Sequence, residues 1–294
     1  MNYLVTGATG HLGSRVVERL SERVGAGAVT AAVHTPAKAT ALVARGVRVV
    51  ACDYLSVAGM TAAFTDQDVV IVIPSKTYDL VQRIQEFENT IQALTAAKVA
   101  GVVFVSFFAD QERNPFVMSP YYAYAPRRLA TSGLTYAVVK NALYADPLVP
   151  YLPELIQRQA LIYPVGSQKL SFITLADSAT AIAALATQPA LRDRGQSYLL
   201  SQSTALSMPA LGRIMSDVTG RPIGYHPVSN REFGRIYAAE GDGAELASMY
   251  AAGALGLLGG VSADYRRLTG YEPEGMAAFL TREYRPRPAG GDRA

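Results

Sequence analysis

A short apolar run, Tyr3-Leu4-Val5-Thr6, leads directly into Gly7-Ala8-Thr9-Gly10-His11-Leu12-Gly13, and an amphipathic stretch follows at once. This order of strand, glycine turn and helix restricts the fold more than any other feature of the chain. Glycine lets the backbone turn sharply and approach a ligand closely, and the helix start behind it carries partial positive charge. Together they make a seat for a pyrophosphate, so the context predicts a bound dinucleotide. No Gly-Lys-Ser/Thr follows, which excludes a triphosphate-binding lysine loop.

The first half continues as alternating strand and helix signals. Val29 to Val33, Val47 to Ala51, Val69 to Ile73, Val102 to Val105 and Tyr136 to Val139 are short β-branched runs suited to buried parallel strands. Helices are predicted between them over Leu12 to Arg23, Pro36 to Ala44, Val57 to Phe64, Tyr78 to Lys98 and Ala123 to Ser132. Gly46, Gly101 and Gly133 serve as stop signals. Leu80, Ile84, Phe87, Ile91 and Leu94 follow helical spacing and predict a face packed on a sheet. The expected fold is α/β, a Rossmann-like doubly wound parallel sheet with a smaller α+β C-terminal substrate lobe. Residues 1–150 would form the NAD(P)-binding domain, with some later segments free to return to it, residues 151–284 the lobe, and residues 285–294 a frayed tail.

Within the second half, Leu152-Pro153-Glu154 reads as a helix start, Ile162 to Gly166 as a strand and turn, and Asp177 to Ala186 as an Ala-rich helix of the lobe. Tyr198 to Leu200 and Ile223 to His226 read as strands, with a helix over Met208 to Thr219 between them. The glycine-rich stretch Gly253 to Gly260 reads as a plain loop or a mobile flap.

Composition removes several function classes. The net charge of +3 is spread over 294 residues without a basic run, which gives nucleic acid or an anionic membrane little to bind. No apolar stretch approaches the ~20 residues that span a bilayer. Cys52 is the single cysteine, so no internal disulfide forms, and no signal-peptide pattern precedes the first strand; a cytoplasmic protein is expected. His11, His34 and His226 have no paired-ligand spacing, so no metal is expected. A Gly-x-Ser-x-Gly elbow is also missing, which sets aside a serine hydrolase.

In a doubly wound sheet, ligands bind just beyond the carboxyl ends of the strands. After the second strand an NAD-binding chain usually offers an acid to the ribose, yet His34, Thr35 and Lys38 stand here, which favours the 2′-phosphate of NADP over NAD. Thr35-Pro36 as a simple helix cap is the alternative. Asp53 and Tyr54 follow the third strand and would meet the adenine, or else begin a turn and fill the core edge. Pro74, Ser75 and Lys76 after the fourth strand, with Ser106 and Phe107 after the fifth, would flank the ribose and nicotinamide.

One apparent catalytic motif fails on geometry. Tyr136 to Lys140 matches the Tyr-x-x-x-Lys pair of short-chain dehydrogenases, which needs a helix to put both side chains on one face. In a strand, four residues span about 13 Å. Lys140 alone, at the strand end, remains a cofactor or substrate contact.

The Gly-x-x-Gly-x-x-Gly turn, Asp53-Tyr54, the Ser106 strand end, Ser132 to Tyr136, Asn141-Ala142-Leu143-Tyr144, Ser171 to Asp177 and His226 to Ser229 together resemble the NmrA-like atypical short-chain dehydrogenases, and within them the type 2 NAD(P)H:quinone oxidoreductases and triphenylmethane reductases. The resemblance covers nearly the whole chain and implies a hydride-transferring reductase of flat conjugated acceptors. Relatives carry a lysine or histidine in the helix after the fifth strand; counting back from Gly133 gives Tyr122, a phenol able to donate a proton. Tyr122 is therefore the catalytic candidate, against the alternative that Tyr121, Tyr122 and Tyr124 simply line an aromatic wall. Pro126 stands where relatives often have glutamate and Lys140 where they often have arginine.

The reading that follows is an NADPH-dependent reductase without flavin. Phe107, Phe108, Tyr122, Tyr144 and Phe172, with Asn141 nearby, would form an apolar cleft for a planar electrophile. An NADP(H)-sensing regulator without turnover is the rival, and a nucleotide-sugar epimerase is a weaker third. The sequence leaves monomer and homodimer both open.

Overall fold

A computed structural model describes residues 1–285. The first half is β1 (Tyr3–Thr6), α1 (His11–Val24), β2 (Val29–Val33), α2 (Thr40–Ala44), β3 (Arg48–Ala51), α3 (Val57–Phe64), β4 (Val69–Val72), α4 (Leu80–Ala96), β5 (Gly101–Phe107), α5 (Ser119–Ala130) and β6 (Tyr136–Asn141). Then come β7 (Leu143–Tyr144), α6 (Leu148–Arg158), β8 (Ala160–Leu161), β9 (Lys169–Leu170), β10 (Phe172–Ile173), α7 (Leu175–Ala186), α8 (Pro189–Arg192) and β11 (Ser197–Leu200). The chain continues through β12 (Leu206–Ser207), α9 (Met208–Thr219), β13 (Gly224–Tyr225), α10 (Asn230–Ile236), α11 (Gly243–Ala254), α12 (Asp264–Thr269) and α13 (Met276–Glu283).

Seven parallel strands form the central sheet in the order β11-β6-β5-β4-β1-β2-β3. The order reverses between β1 and β4, which opens the ligand crevice there at the carboxyl edge. Strand periodicity sorts the core. Leu4, Val70, Val72, Val102, Phe104 and Val138 face one apolar cluster with Met60, Phe64, Phe87, Leu94 and Leu129. Their neighbours Val5, Ile71, Val103, Val105 and Val139 face the other, with Val16, Leu20, Ile182 and Leu268. Helices α3, α4 and α5 therefore cover one face, and α1, α7 and α12 the other.

Two segments assigned to the lobe belong to the sheet. β11 pairs with β6 in parallel, Ser197 against Val138 through Leu200 against Asn141. α7 packs on α1, and its buried small residues Ala179, Ala183 and Ala186 allow that close approach. The Ala-rich helix is thus sheet cover, because a helix this apolar on one side needs a second apolar layer to bury it. The lobe proper is built from α6, α9, α10, α11 and the short pairs β8–β13 and β9–β12.

Local boundaries moved for identifiable reasons. α6 starts at Leu148, upstream of the expected start: Pro150 falls in its first turn, where no helical donor is needed, and Pro153 deprives the Val149 carbonyl of its i+4 partner without ending the helix. The strand expected over Ile162 to Gly166 is instead Ala160–Leu161. Gly253 to Gly260 is a closely packed end of α11 and turn: a Cβ at Gly259 would lie 2.8 Å from the Lys169 carbonyl oxygen, and one at Gly260 2.6 Å from the Phe108 ring. Ser171 donates backbone and hydroxyl hydrogens to the Leu258 carbonyl, at 2.9 and 3.1 Å. The glycines allow this close contact. Of the tail expected to fray, residues 286–294 lie outside the described residues.

Candidate functional site

The glycine turn is built as a cradle. Gly7 has φ of 60°, and a Cβ on Gly13 would lie 2.2 Å from the Gly7 carbonyl oxygen. Only glycine at Gly13 lets α1 start this close to β1. α1 carries no side-chain cap and no acid in its first turn, so the N–H groups of His11, Leu12 and Gly13 have no intrahelical acceptor. Ala8 and Leu12 are buried beneath the turn, while Thr9 and His11 are exposed at its rim. This donor set fits a pyrophosphate.

Around the turn, His34, Thr35 and Lys38 are all exposed after β2. Thr35 stands at the N-cap of the short turn Pro36–Lys38, with Pro36 in first position, but its side chain makes no cap bond; its hydroxyl lies 3.3 Å from His34 Nδ1. Asp53 and Tyr54 both make hydrogen bonds within the protein, and Asp53 stays exposed. Asp53 accepts from the Leu55 N–H at 2.9 Å, and the Tyr54 hydroxyl turns inward to donate to the Ile73 carbonyl at 2.5 Å. Tyr54 thereby braces the end of β4. Pro74 is half-buried and Lys76 exposed, and the Ser75 hydroxyl donates to the Glu86 carboxylate.

Beyond the switch point the strand ends assemble an aromatic group. Phe107 meets Phe116 and Tyr122 edge-on, with ring centroids at 5.9 and 5.6 Å, and Phe116 stacks with Tyr122 at 6.2 Å. Beside them Ser106 has a buried hydroxyl oxygen with no partner among the described residues. A buried hydroxyl left unpaired is costly, which marks this spot as one a ligand would complete.

The tyrosines of α5 do not form one wall. Tyr121 is buried under the Arg83 guanidinium, which lies 5.2 Å from its ring centroid. Tyr124 donates to Glu88 at 2.5 Å, and only Tyr122 faces the aromatic group. Burial pushes the Tyr122 phenol above its ordinary value, and the neighbouring Arg83 opposes that shift. α5 begins at Ser119, four residues upstream of the expected start, with Pro120 in its first turn. Pro126 sits in the helix interior, so the Tyr122 carbonyl lacks its i+4 donor.

Tyr144 is held by a relay. Asn141 Nδ2 donates to the Tyr144 oxygen at 3.0 Å, and Ser178 Oγ donates to Asn141 Oδ1 at 2.7 Å. Lys140 pairs with Asp110 at 2.6 Å, and Tyr136 and Lys140 both lie in β6, so they form no helical dyad. Of the other expected cleft residues, half-buried Phe108 packs against Gly260, and Phe172 is buried in β10. Sequence reading missed Phe116, Ser178, Asp110 and Arg83. Arg83 had a visible signal, since it shares a helical row with Phe87, Thr90 and Leu94. Among the described residues no group of three His, Cys, Asp or Glu side chains is arranged to hold a metal ion.

Residues 7–189 match the model of a family described as NAD(P)H-binding, well over half of the chain. The chain belongs to the NAD(P)H-binding family. It is 29% identical over 249 residues to quinone oxidoreductase 2 of Escherichia coli K12, spanning 84% of this chain and 85% of that protein. Among solved structures, a Staphylococcus aureus protein described as a nucleoside-diphosphate-sugar epimerase is 39% identical, with a TM-score of 0.88 over 96% of this chain and 100% of that one. The triphenylmethane reductase of a Citrobacter species, in complex with NADP(H), superposes with a TM-score of 0.90 at 25% identity, over 96% of this chain and 100% of that one. The family match ends at residue 189, the structural likeness extends over 96% of the chain and so into the lobe, and the family expected from sequence is the one found.

Proposed function

We propose that this NAD(P)H-binding protein is an NADPH-dependent oxidoreductase of planar conjugated acceptors such as quinones. One observation carries the reading: the aromatic group of Phe107, Phe116 and Tyr122 stands beside the unpaired Ser106 hydroxyl, at the carboxyl edge one strand from the switch point. A flat acceptor stacks on such faces and water is excluded. The exposed His34, Thr35 and Lys38 with no acid among them support NADPH over NADH.

The residues of the chain have separable roles. Gly7, Gly10 and Gly13, with the first N–H groups of α1, hold the pyrophosphate. Ser106 offers its hydroxyl to the nicotinamide side, and a bound reduced nicotinamide supplies hydride. Phe107 and Tyr122 orient the acceptor, and Tyr122 delivers a proton to its oxygen. Names of relatives, quinone oxidoreductase and triphenylmethane reductase, agree with this assignment. The helical Tyr-x-x-x-Lys pair that epimerase chemistry uses is not formed by Tyr136 and Lys140, which sit in a strand.

The test is NADPH oxidation at 340 nm by purified protein across quinones, triarylmethyl dyes and enones, alongside NADH. Turnover with at least one flat acceptor is expected, with the lower KM for NADPH. Tight NADPH binding without oxidation across the panel would refute the reading and favour a cofactor-sensing regulator.

A further inference from the structure

Arg83 is 6% exposed, on the sheet-facing row of α4. Its Nε and Nη2 donate to the Thr77 carbonyl at 3.1 and 2.7 Å. Among the described residues no carboxylate lies within ion-pair distance of it. Glu86, also 6% exposed and one turn along, is instead engaged by Ser75 and Gln82. A cation taken out of water without a counter-charge is destabilising, so its presence calls for a compensating role.

The surroundings indicate which. The guanidinium lies over the Tyr121 ring, and its charge favours the ionised form of each phenol around it, Tyr54, Tyr78, Tyr121 and the adjacent Tyr122, whose ring is 5.3 Å from that of Tyr121; of the four, Tyr122 is the one in the aromatic group with Phe107 and Phe116. The other ionisable groups acting on this pair or on its neighbours are Cys52 after β3, Tyr54 before α3, Tyr78 before α4, Glu86 on α4, Tyr121 on α5, Tyr144 on β7, Asp146 before α6, Asp242 before α11 and Glu245 on α11. Among these described residues Arg83 alone is cationic. Tyr144 already receives a hydrogen bond from Asn141, whereas Tyr122 has only the cation to support a charged oxygen.

We propose that Arg83 is a positioning residue for proton delivery, holding the negative charge left on the Tyr122 oxygen when Tyr122 protonates a reduced acceptor. This rests on the reductase reading. Reduced nicotinamide dinucleotide is oxidised, and the quinone gains a hydride to become a hydroquinone monoanion. The Tyr122 O–H bond breaks, an O–H bond forms on the product, and the phenolate beside Arg83 recovers a proton from water. A triarylmethyl cation provides the contrast, because adding hydride to it yields a neutral product that needs no proton.

The full-length protein and its R83M, R83K, Y122F and R83M/Y122F variants would be assayed with NADPH and either 1,4-naphthoquinone or a triarylmethyl dye. R83M is expected to lower kcat for the quinone by about tenfold or more, a part of the roughly 10²–10⁴-fold that general-acid catalysis contributes, and to leave the dye rate within about twofold. The D2O effect on quinone turnover should rise in R83M and stay near one with the dye. R83K should recover part of the rate, and the double variant should be no slower than Y122F. NADPH fluorescence titration reports folding, and R83Q replaces R83M should that variant not fold. An equal loss with both acceptors, an unchanged quinone rate, or additive losses in the double variant would overturn the proposal. Absence of any oxidation by the unsubstituted protein would instead refute the reductase reading beneath it.

Discussion

Gly13→Ala is the substitution in which two opposing effects can be weighed most directly. In a helix interior, alanine is ordinarily more stable than glycine by about 1 kcal/mol. At Gly13 the new methyl would lie 2.2 Å from the Gly7 carbonyl oxygen, 2.8 Å from its carbon and 2.9 Å from Ala8 Cα. Comfortable carbon contacts begin near ~3.5 Å, so α1 must retreat by roughly an ångström. All three opposing atoms are backbone and cannot rotate away. Overpacking of this kind costs roughly 1–3 kcal/mol, and a rigid backbone clash belongs at the upper end. The clash therefore exceeds the propensity gain by about 1–2 kcal/mol, which for a chain of this size lowers Tm by roughly 2–8 °C. Withdrawal of α1 also moves its free N–H groups off the pyrophosphate, and a loss of about 1.4 kcal/mol there is tenfold in Kd. Thermal unfolding and NADPH fluorescence titration would be run beside Gly27→Ala, where nothing lies within 4 Å of the added Cβ. A G13A protein that melts at or above the parent temperature and binds NADPH within twofold would refute the cradle.

Three further outcomes are expected. Ser178→Ala leaves Asn141 Oδ1 without its donor in a buried site, costing roughly 1–3 kcal/mol in urea unfolding and loosening Tyr144; unchanged stability would show that the relay is not needed. Lys38→Glu should raise the KM for NADPH several-fold and leave that for NADH near its parent value, and equal changes in both would remove Lys38 from the 2′-phosphate site. Asp177 is pushed above the usual carboxyl value of 3.8 by burial, although Tyr265 and the Glu274 N–H donate to it. A raised folded-state value means that its protonated form is favoured by folding; this contribution is present below 3.8 and declines as pH rises through the folded value. Relative to Asp177→Asn, the parent protein should therefore lose stability as pH rises above 3.8 and through the folded value, and a pH-independent difference would contradict this.

Much of the sheet was legible because its information is local. β-branched runs between helical periods marked β2 through β6 within a residue or two, and Met208 to Thr219 was read to the residue from its amphipathic pattern. The destination of α7 was not, since Ala179, Ala183 and Ala186 read as apolar helix whether they meet α1 or a lobe. The same holds for Phe108 and Phe172: a strand end identifies an aromatic residue near the crevice, but rotamer and neighbouring loop decide whether it turns into the cleft or onto Gly260.

The sequence by itself determined the glycine turn, the βαβ alternation and the lack of an acid after β2, because each depends on backbone conformation or side-chain type within a few residues. Tertiary structure decided what Arg83 lacks, which tyrosine of α5 faces the cleft, and that Tyr54 braces β4. Those outcomes depend on partners brought together across long separations, such as Tyr54 with Ile73, Arg83 with Tyr121 and Ser178 with Asn141. Burial assigns charge and hydrogen-bond duties only after the chain has folded, and local pattern carries no record of which distant group will be there.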